Sequence, residues 1–473
     1  MSVNGPNTEF ALDSKRNVMP KKKQHVDLSD QNLLSLILRL AIPSVVGLSI
    51  HALQQVVNAI FVGALGAQAI AAVSMTLPIV VLLAAAGQGI GVGAASFISR
   101  HLGAREYLEA SRGASTALAL AAPIGIIVTL TLLPNLPGIF ATLGATPTIM
   151  PVALDYAGTV LLGYTPMLLN TVSGFIVRAE GYTRFSMWVM MTAFILNAVL
   201  DPVFIFSLDL GVRGAALATL VSQISAVGLY IVYFTKLGGT VLVRISHISL
   251  RADRIRQLAL VGAPATMTSI LSALAVMLLY GAAAPFGDDS IAAVGIAVRI
   301  LMVGALPITG FCIGAQAILG FGWGARDYAH ILRAAKFMLF VTIAFSVLYS
   351  AAVVIFARPL VSLFSDNEYV TEIAVSTCIV FHLFFGLFGV QSFVTAILQS
   401  FGRARLSAIA LARQGYLFIP AVLLFPLVAG FNGLLASQAL AELGAGIIAL
   451  IVMFNQFGEL RRALRHGPQE RSG

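Results

Sequence analysis

The chain has 473 residues, of which 58% are hydrophobic and 10% charged, and its mean hydropathy is +0.92. Soluble domains carry about 25% charged residues, so this composition excludes a soluble protein and predicts an all-α polytopic membrane protein. Two cysteines cannot build a disulfide framework. The sequence contains no phosphate-binding glycine loop, zinc-ligand spacing or nucleophile elbow, so we expect no cofactor and no enzymatic activity.

Apolar stretches of about 20 residues or more, the length that crosses a bilayer, predict about twelve transmembrane helices. Their approximate limits are 34–62, 68–100, 107–133, 149–178, 184–207, 213–236, 256–286, 289–323, 329–357, 370–401, 404–428 and 432–457. A polar tail precedes them and is rich in basic residues, namely Lys15, Arg16, Lys21, Lys22 and Lys23. This tail is not a signal peptide, because the first apolar stretch begins beyond residue 30 and is too long.

The basic residues predict how the chain is oriented. Of the 29 lysines and arginines, 25 fall in the two tails, in the even-numbered loops or at the helix ends next to them. Cytoplasmic loops are rich in these residues, so both termini are predicted to be cytoplasmic. The same asymmetry explains the net charge of +9, and we therefore expect membrane lipid around the protein and no nucleic-acid partner.

Short sequence matches recur at one fixed distance, which we call the repeat spacing. "IAAV" at 70–73 returns at 291–294, and "GAREY" at 103–107 returns at the same distance as "GARDY" at 324–328. Six helices is an even number, so both halves enter from the same side, which predicts two parallel six-helix repeats that form two lobes. The predicted domains are a tail (1–33), the first lobe (34–240), a linker (241–255), the second lobe (256–458) and a second tail (459–473).

One carboxylate lies inside the apolar stretch "NAVLDPVFIF", residues 197–206. A charge at the centre of a membrane helix costs about 2.5–3.5 kcal/mol on insertion scales, so Asp201 should face a partner or a water-filled path. Asn197, four residues earlier, lies on the same helix face. The alternative is a helix kinked at Pro202 and held by an interhelical hydrogen bond.

The first helix carries a polar stripe. His51, Gln54, Gln55 and Asn58 follow the i, i+3, i+4, i+7 pattern of one helix face. Such a stripe lines a wet cavity or bonds neighbouring helices. We expect His51 and Gln54, together with His382 of the second half, to line such a cavity.

The second half holds a set of charges at mid-depth. The helices that carry Arg299 and Glu442 enter the membrane from the same side, and the two residues lie at similar depth. This placement predicts a structural salt bridge between them. Arg413 is the other nearby cation. In the alternative interpretation, Glu442 is a second site for a proton or a cationic substrate.

Longer stretches resemble one known family. They are "GVGAASFISRHLGAREY", "IVRAEGYTRFSMW", "NAVLDPVFIFSLDLGVRGAALATLVSQ" and "LQSFGRARLSAI". These stretches are similar to segments of multidrug and toxic compound extrusion (MATE) transporters, in particular the DinF-like and MepA-type bacterial members. The resemblance covers nearly the whole chain after about residue 33. It implies two six-helix lobes in a V around a central cavity. It also implies a monomeric antiporter of the bacterial inner membrane that exports small organic, often cationic, compounds in exchange for protons or sodium ions.

The resemblance also carries an ion site over to this sequence. It implies that Asn197, Asp201 and Thr219 bind the coupling ion. The acid of the first helix in other members is replaced by Asn58, so sodium binding at Asp201, Asn197 and Thr219 is less favoured and proton coupling is predicted. At 1.5 Å per residue, Asn58, Asp201 and Thr219 lie roughly 6–9 Å from the outer ends of their helices, which places them in one slab.

Two other functions fit the sequence less well. A flippase for lipid-linked precursors belongs to the same fold superfamily, but such proteins have extra helices and a strongly cationic cavity. Here only Arg299 and Arg413 would supply that charge. A membrane enzyme or receptor lacks a catalytic constellation and leaves the sequence repeat unexplained.

Overall fold

A computed structural model describes residues 28, 30, 32–237, 239–365, 367–403 and 412–466. The basic residues predicted for the first tail, from Lys15 to Lys23, lie outside these described residues. The helices are α1 (Leu33–Gly63), α2 (Ala67–Gly103), α3 (Tyr107–Leu132), α4 (Leu136–Thr142), α5 (Met150–Leu162), α6 (Tyr164–Ala179), α7 (Thr183–Pro202), α8 (Gly211–Val232), α9 (Ala252–Ala283), α10 (Asp288–Gly324), α11 (Tyr328–Ile355), α12 (Ala357–Ser362), α13 (Glu368–His382), α14 (Gly386–Ser400) and α15 (Ile419–His466).

The number of membrane passages agrees with the prediction. Among the described residues, 9 helical stretches are long and apolar enough to cross a membrane, and the bent pairs α5–α6 (45°) and α13–α14 (47°) bring the number to 11. The last helix, α15, is interrupted by non-helical backbone at Ala429 and Gly430. Because it is two helices joined at that kink, the described chain makes about twelve passages, and the predicted all-α membrane fold is confirmed.

Backbone conformation repeats between the two halves. Gly66 and Gly287, which are one repeat spacing apart, precede α2 and α10 with φ values of 98° and 97°. Arg105 and Arg326, at the same spacing, have positive φ values of 62° and 56° although neither is glycine. Non-glycine residues rarely adopt this conformation, so its presence at equivalent positions shows that the sequence repeat is also a structural repeat.

The first and last described parts of the chain lie on one side of the bundle, which we call the tail side. There Leu28, before α1, shares a hydrophobic cluster with Leu460 near the end of α15. The same cluster joins Leu40 of α1 to α10 in the second half, while another joins Leu258 of α9 to α2 in the first half. The first helix of each half therefore packs against the other half on the tail side.

Glycines allow the two halves to approach closely at this contact, which we call the seam. A Cβ atom on Gly93 of α2 would collide with the backbone carbonyl of Leu258, and one on Gly314 of α10 would lie 2.6 Å from the carbonyl oxygen of Leu40. No larger residue fits at either position without moving a helix. Gly93 and Gly314 are one repeat spacing apart, so the seam has approximate two-fold symmetry.

The connection between the halves is tied to α3 by hydroxyl groups. The Leu242 N–H donates to Ser111 Oγ at 2.9 Å, and the Ser249 N–H donates to Thr116 Oγ1 at 3.2 Å. Backbone donors of an irregular segment need such partners when they are removed from water. The connection is thus held on the first half.

Two acids complete this tail-side attachment. Glu180, directly after α6 and 2% exposed, accepts a hydrogen bond at Oε2 from the Val241 N–H at 3.2 Å. Burial raises the pKa of Glu180 to about 8, although its hydrogen bonds act in the opposite direction. Glu109 of α3 pairs with Arg254 of α9 at 2.6 Å and with Arg112 at 2.7 Å. The Glu109–Arg254 pair joins the two halves beside the seam.

Candidate functional site

The deepest acid of the first half lies at the end of α7. Asp201 has no exposed surface, and Asn197, one turn earlier and 1% exposed, donates from Nδ2 to Asp201 Oδ1 at 3.2 Å. Pro202 lacks an N–H donor, and the chain continues as a π-helical turn, Val203–Ser207. This wider turn follows directly after the acid. The four-residue spacing therefore produces the hydrogen-bonded pair that it predicts.

Side chains from two further helices extend this pair. Gln54 of α1 donates from Nε2 to Asn197 Oδ1 at 3.1 Å, and Asn197 Nδ2 also lies 3.5 Å from Thr219 Oγ1 of α8. The Thr219 hydroxyl in turn donates to the carbonyl of Ala215 at 3.1 Å. The amide of Asn197 thus joins α1, α7 and α8 around Asp201.

Two oxygen atoms in this region lack hydrogen-bond partners. The hydroxyl of Tyr156 in α5 lies close to Asn58 of α1 and to Asp201. Yet Asn58 Oδ1 and Asp201 Oδ2 are both buried and have no partner among the described residues. Buried polar atoms are normally paired. A proton on Asp201, or a small cation among these oxygens, would satisfy this need.

The donor set distinguishes these two occupants. Among the described residues no group of three or more His, Cys, Asp or Glu side chains could hold a metal ion. Around Asp201 the other groups are the neutral side chains of Asn58, Tyr156, Asn197 and Thr219. A proton or a monovalent cation neutralises a single carboxylate, but the cation would depend on neutral oxygens for its remaining ligands.

The remaining residues predicted to line a cavity, His51, Gln54 and His382, lie in different environments. His51 is exposed on α1, as is Gln55, whereas Gln54 is half-buried in its hydrogen bond to Asn197. His382 is fully buried, and its Nδ1 atom lies 2.8 Å from the carbonyl oxygen of Cys378. His382 therefore belongs to the core of the second half rather than to a cavity lining, because its neighbours are aromatic rings.

The buried acid of the second half has its own cation. Glu442 of α15, 2% exposed, accepts from Arg413 Nη1 at 3.1 Å through Oε2 and from Gln391 Nε2 at 2.8 Å through Oε1. The Arg413 guanidinium also lies 5.2 Å from the ring centre of Phe388. The expected partner, Arg299, forms no ion pair within the described residues, so the structure assigns the salt bridge to Arg413 instead.

The position of Arg299 around the axis of α10 explains why it does not pair with Glu442. It is exposed, and it precedes Val303 and Gly310 of α10 by one turn and by three turns, spacings that keep all three on one helix face. Gly310 contacts Val45 of α1 at the seam. Farther from the tail side this face is exposed at Val303 and Arg299, so Arg299 lies on the face of α10 that meets the first half at the seam.

The Gln391–Glu442 bond has a neutral counterpart in the first half. Asn170 Nδ2 donates to Gln223 Oε1 at 2.5 Å. Asn170 precedes Gln391 by the repeat spacing, and Gln223 precedes Glu442 by a slightly shorter one. Gly211 and Gly430 are separated by this same shorter distance and both have positive φ values, which supports the shorter spacing in this region. Equivalent positions of the two halves thus form the same side-chain hydrogen bond, but only the bond of the second half includes a charged residue.

The family model MatE matches the chain twice, over residues 43–203 and 264–423. The chain belongs to the MatE family. The two matches begin at Pro43 and Pro264, which are one repeat spacing apart, so the predicted repeat coincides with the repeat of the family model. The family expected from the sequence motifs is confirmed.

Named relatives and solved structures agree with this assignment. Multidrug export protein MepA of Staphylococcus aureus (strain NCTC 8325 / PS 47) is 29% identical over 417 residues, covering 88% of this chain and 92% of that protein. A structure described as the outward-facing conformation of a multidrug resistance MATE family transporter has a TM-score of 0.87 and 26% identity, covering 94% of this chain and 100% of the other. A transporter from Pyrococcus furiosus has the same score and identity, with 93% and 100% coverage.

Sequence reasoning missed several partners in this MatE chain. Tyr156 gave no signal because an aromatic residue in an apolar helix is usually a packing residue. Gln391 was also missed, although the repeat could have indicated it through its counterpart Asn170. Arg178 and Gln316 also gave no signal, because each is a single polar residue near a helix end or within a small-residue stretch.

Proposed function

We propose that this MatE family protein is a secondary active antiporter that exports small organic, often cationic, compounds in exchange for protons. The relatives named multidrug export proteins support the substrate class, and the repeat supports alternating access by two rocking halves. The observation that carries the proton assignment is the fully buried Asp201, whose Oδ2 atom has no hydrogen-bond partner among the described residues.

The chemistry of Asp201 supports a proton cycle. A proton on Oδ2 removes the charge from an apolar surrounding and gives the unpartnered atom an O–H group to donate. When the proton leaves, Asn197 Nδ2 still donates to Oδ1, so the carboxylate keeps one hydrogen bond. The link through Asn197 to Gln54 and Thr219 offers a route by which this change would move α1 and α8.

Sodium coupling is the second candidate for the same site. Asn58 Oδ1 is the observation that favours it, because this oxygen is buried without a partner in the region of Asp201. We favour the proton, since the site contains one carboxylate. The alternative of a flippase for lipid-linked precursors has less support, because of the two cations that a cationic cavity would need, Arg413 is already paired with Glu442.

Energetics set what this exchange can achieve. A proton that enters across about 150 mV releases roughly 3.5 kcal/mol, which supports a gradient of a few hundredfold for a neutral substrate. A monovalent cation that leaves for one proton moves no net charge. Only the pH difference then drives export, at about tenfold per pH unit.

We further propose that the tail side faces the cytoplasm of a bacterial inner membrane and that the protein works as a monomer surrounded by lipid. The orientation rests on the tail-side position of basic residues such as Arg105, Arg254 and Arg326. Labelling of single cysteines introduced beside these residues in intact cells tests it, because cytoplasmic thiols should not react with an impermeant reagent.

The central experiment is transport of a fluorescent cation in everted vesicles with a proton or a sodium gradient imposed separately. Asp201→Asn should abolish proton-driven transport while the amount of protein in the membrane is unchanged. Asp155→Asn is the matched control, because Asp155 is an exposed acid of α5. Full transport by Asp201→Asn would overturn the proton assignment, and transport driven by sodium alone would favour the second candidate.

A further inference from the structure

A guanidinium at the seam has no counter-charge among the described residues. Arg178, near the end of α6, donates from Nη1 to Ser186 Oγ at 2.9 Å and lies 4.5 Å from the ring centre of Phe175. Its Nε atom is buried and has no hydrogen-bond partner among the described residues. No carboxylate of the described chain forms an ion pair with it. Arg178 as a whole is half-buried, and a charge that is partly removed from water without a partner is costly.

An unpaired donor from the other half lies in the same place. Gln316 of α10 is 5% exposed, and its Nε2 atom is buried without a partner in the described structure. Arg178 and Gln316 line one small cavity, which we call the seam cavity; its other lining residues are Ala95, Phe175, Ala179, Ile313 and Ala317. The space admits one group about the size of a water molecule or a chloride ion.

The chemistry of the lining selects among small occupants. Both unpartnered groups, Arg178 Nε and Gln316 Nε2, are N–H donors, and the remaining side chains are apolar. A water molecule could accept both bonds, which is the lower limit of two polar partners for buried water, but its own hydrogens would find only the face of Phe175 among these side chains, and it brings no charge to neutralise Arg178. A cation would be repelled by Arg178. An anion accepts from both donors and supplies the missing charge.

We propose that the seam cavity binds one small monovalent inorganic anion of about the size of chloride. Arg178 comes from the first half and Gln316 from the second, so the anion contacts both halves. Their counterparts at the repeat spacing are Gln399 and Ala95, so the repeat does not generate a second such pair. Separation of the halves at the seam removes one of the two donors, and bound anion therefore stabilises the closed seam by mass action.

A halide titration of the purified protein tests this site. Thermal unfolding in detergent is followed while chloride or bromide replaces gluconate, which is too large for the cavity, at constant sodium. We expect a melting temperature that rises with halide by about 1–3 °C per tenfold increase above the dissociation constant. Gln316→Leu should abolish the rise, whereas the matched control Gln68→Leu, at an exposed position of α2, should retain it.

Crystals grown in bromide give a direct test that needs no variant. An anomalous peak between Arg178 and Gln316 is the expected result. Equal melting temperatures in chloride and gluconate, a halide effect that survives in Gln316→Leu, or water density without an anomalous peak in the seam cavity would each overturn the proposal.

Discussion

Replacing Glu442 with Gln should destabilise the second half without changing its shape. The variant keeps a hydrogen-bonding side chain beside Gln391 but removes the carboxylate that neutralises Arg413. Breaking a buried ion pair by removing one partner costs about 3–5 kcal/mol, because the other charge remains. The side chain of Arg413 is 21% exposed, so partial solvation places the expected loss near the lower value, about 3 kcal/mol.

The two cysteines make the measurement simple. Cys312 and Cys378 are both free and buried, so a thiol-reactive fluorophore reports unfolding as the protein is heated in detergent. Glu442→Gln should melt several degrees below the unaltered protein, and Arg413→Gln combined with it should recover part of the loss. Glu372→Gln, at an exposed position of α13, is the control and should change stability by less than about 0.5 kcal/mol.

Two results would refute this reasoning. Unchanged melting of Glu442→Gln would show that the pair does not stabilise the fold. Failure of the double variant to recover any stability would show that the loss comes from Glu442 alone rather than from an unpaired Arg413. If stability is unchanged but transport is lost, Glu442 becomes a site for a proton or a substrate.

Three further predictions address other parts of the molecule. Asn58→Asp adds a second carboxylate near Asp201 and should introduce sodium dependence in the vesicle assay; unchanged ion dependence would show that α1 does not set the coupling ion. Glu109→Gln removes the ion pair with Arg254 beside the seam, so thiol labelling of a single cysteine placed at the seam should become faster, and unchanged labelling would contradict this. The raised pKa of Glu180 means that the folded state binds a proton that the unfolded state releases between its ordinary pKa of 4.5 and about 8. Stability should fall across this pH range by up to about 1.4 kcal/mol per unit and level off above it, and Glu180→Gln should remove this component of the pH profile of melting.

The parts of the structure that the sequence predicted are those with a fixed local geometry. The Asn197–Asp201 bond follows from a four-residue step within one helix, whatever the rest of the fold does. The two-lobe repeat follows from matches at one spacing, such as Pro43 with Pro264, which no local structure would produce by chance. Alternation of direction with each helix then places both tails on one side.

The parts that failed needed information about rotation around a helix axis. Arg299 and Glu442 were paired because they lie at similar depth, but depth does not say which face of a helix a residue occupies. Arg299 lies on the face of α10 that continues from Gly310 at the seam, while Glu442 faces Arg413 and Gln391. His382 was placed in a cavity for the same reason, although aromatic packing buries it in the core of the second half.

The different environments of the two deeply buried helical acids bear on how many protons are exchanged in each transport cycle. In the first half the Asn170–Gln223 bond is neutral, and Asp201 lies apart from it with no ion-pair partner within the described chain. In the second half the equivalent bond contains Glu442, and Arg413 already neutralises it. A proton that bound Glu442 would leave Arg413 uncompensated, so proton exchange there is opposed by the cost of a buried charge. If Asp201 binds the coupling proton as proposed, this asymmetry predicts one coupling proton per cycle. A monovalent cationic substrate would then be exported without net charge movement, and its transport should respond to the pH difference but not to the membrane potential.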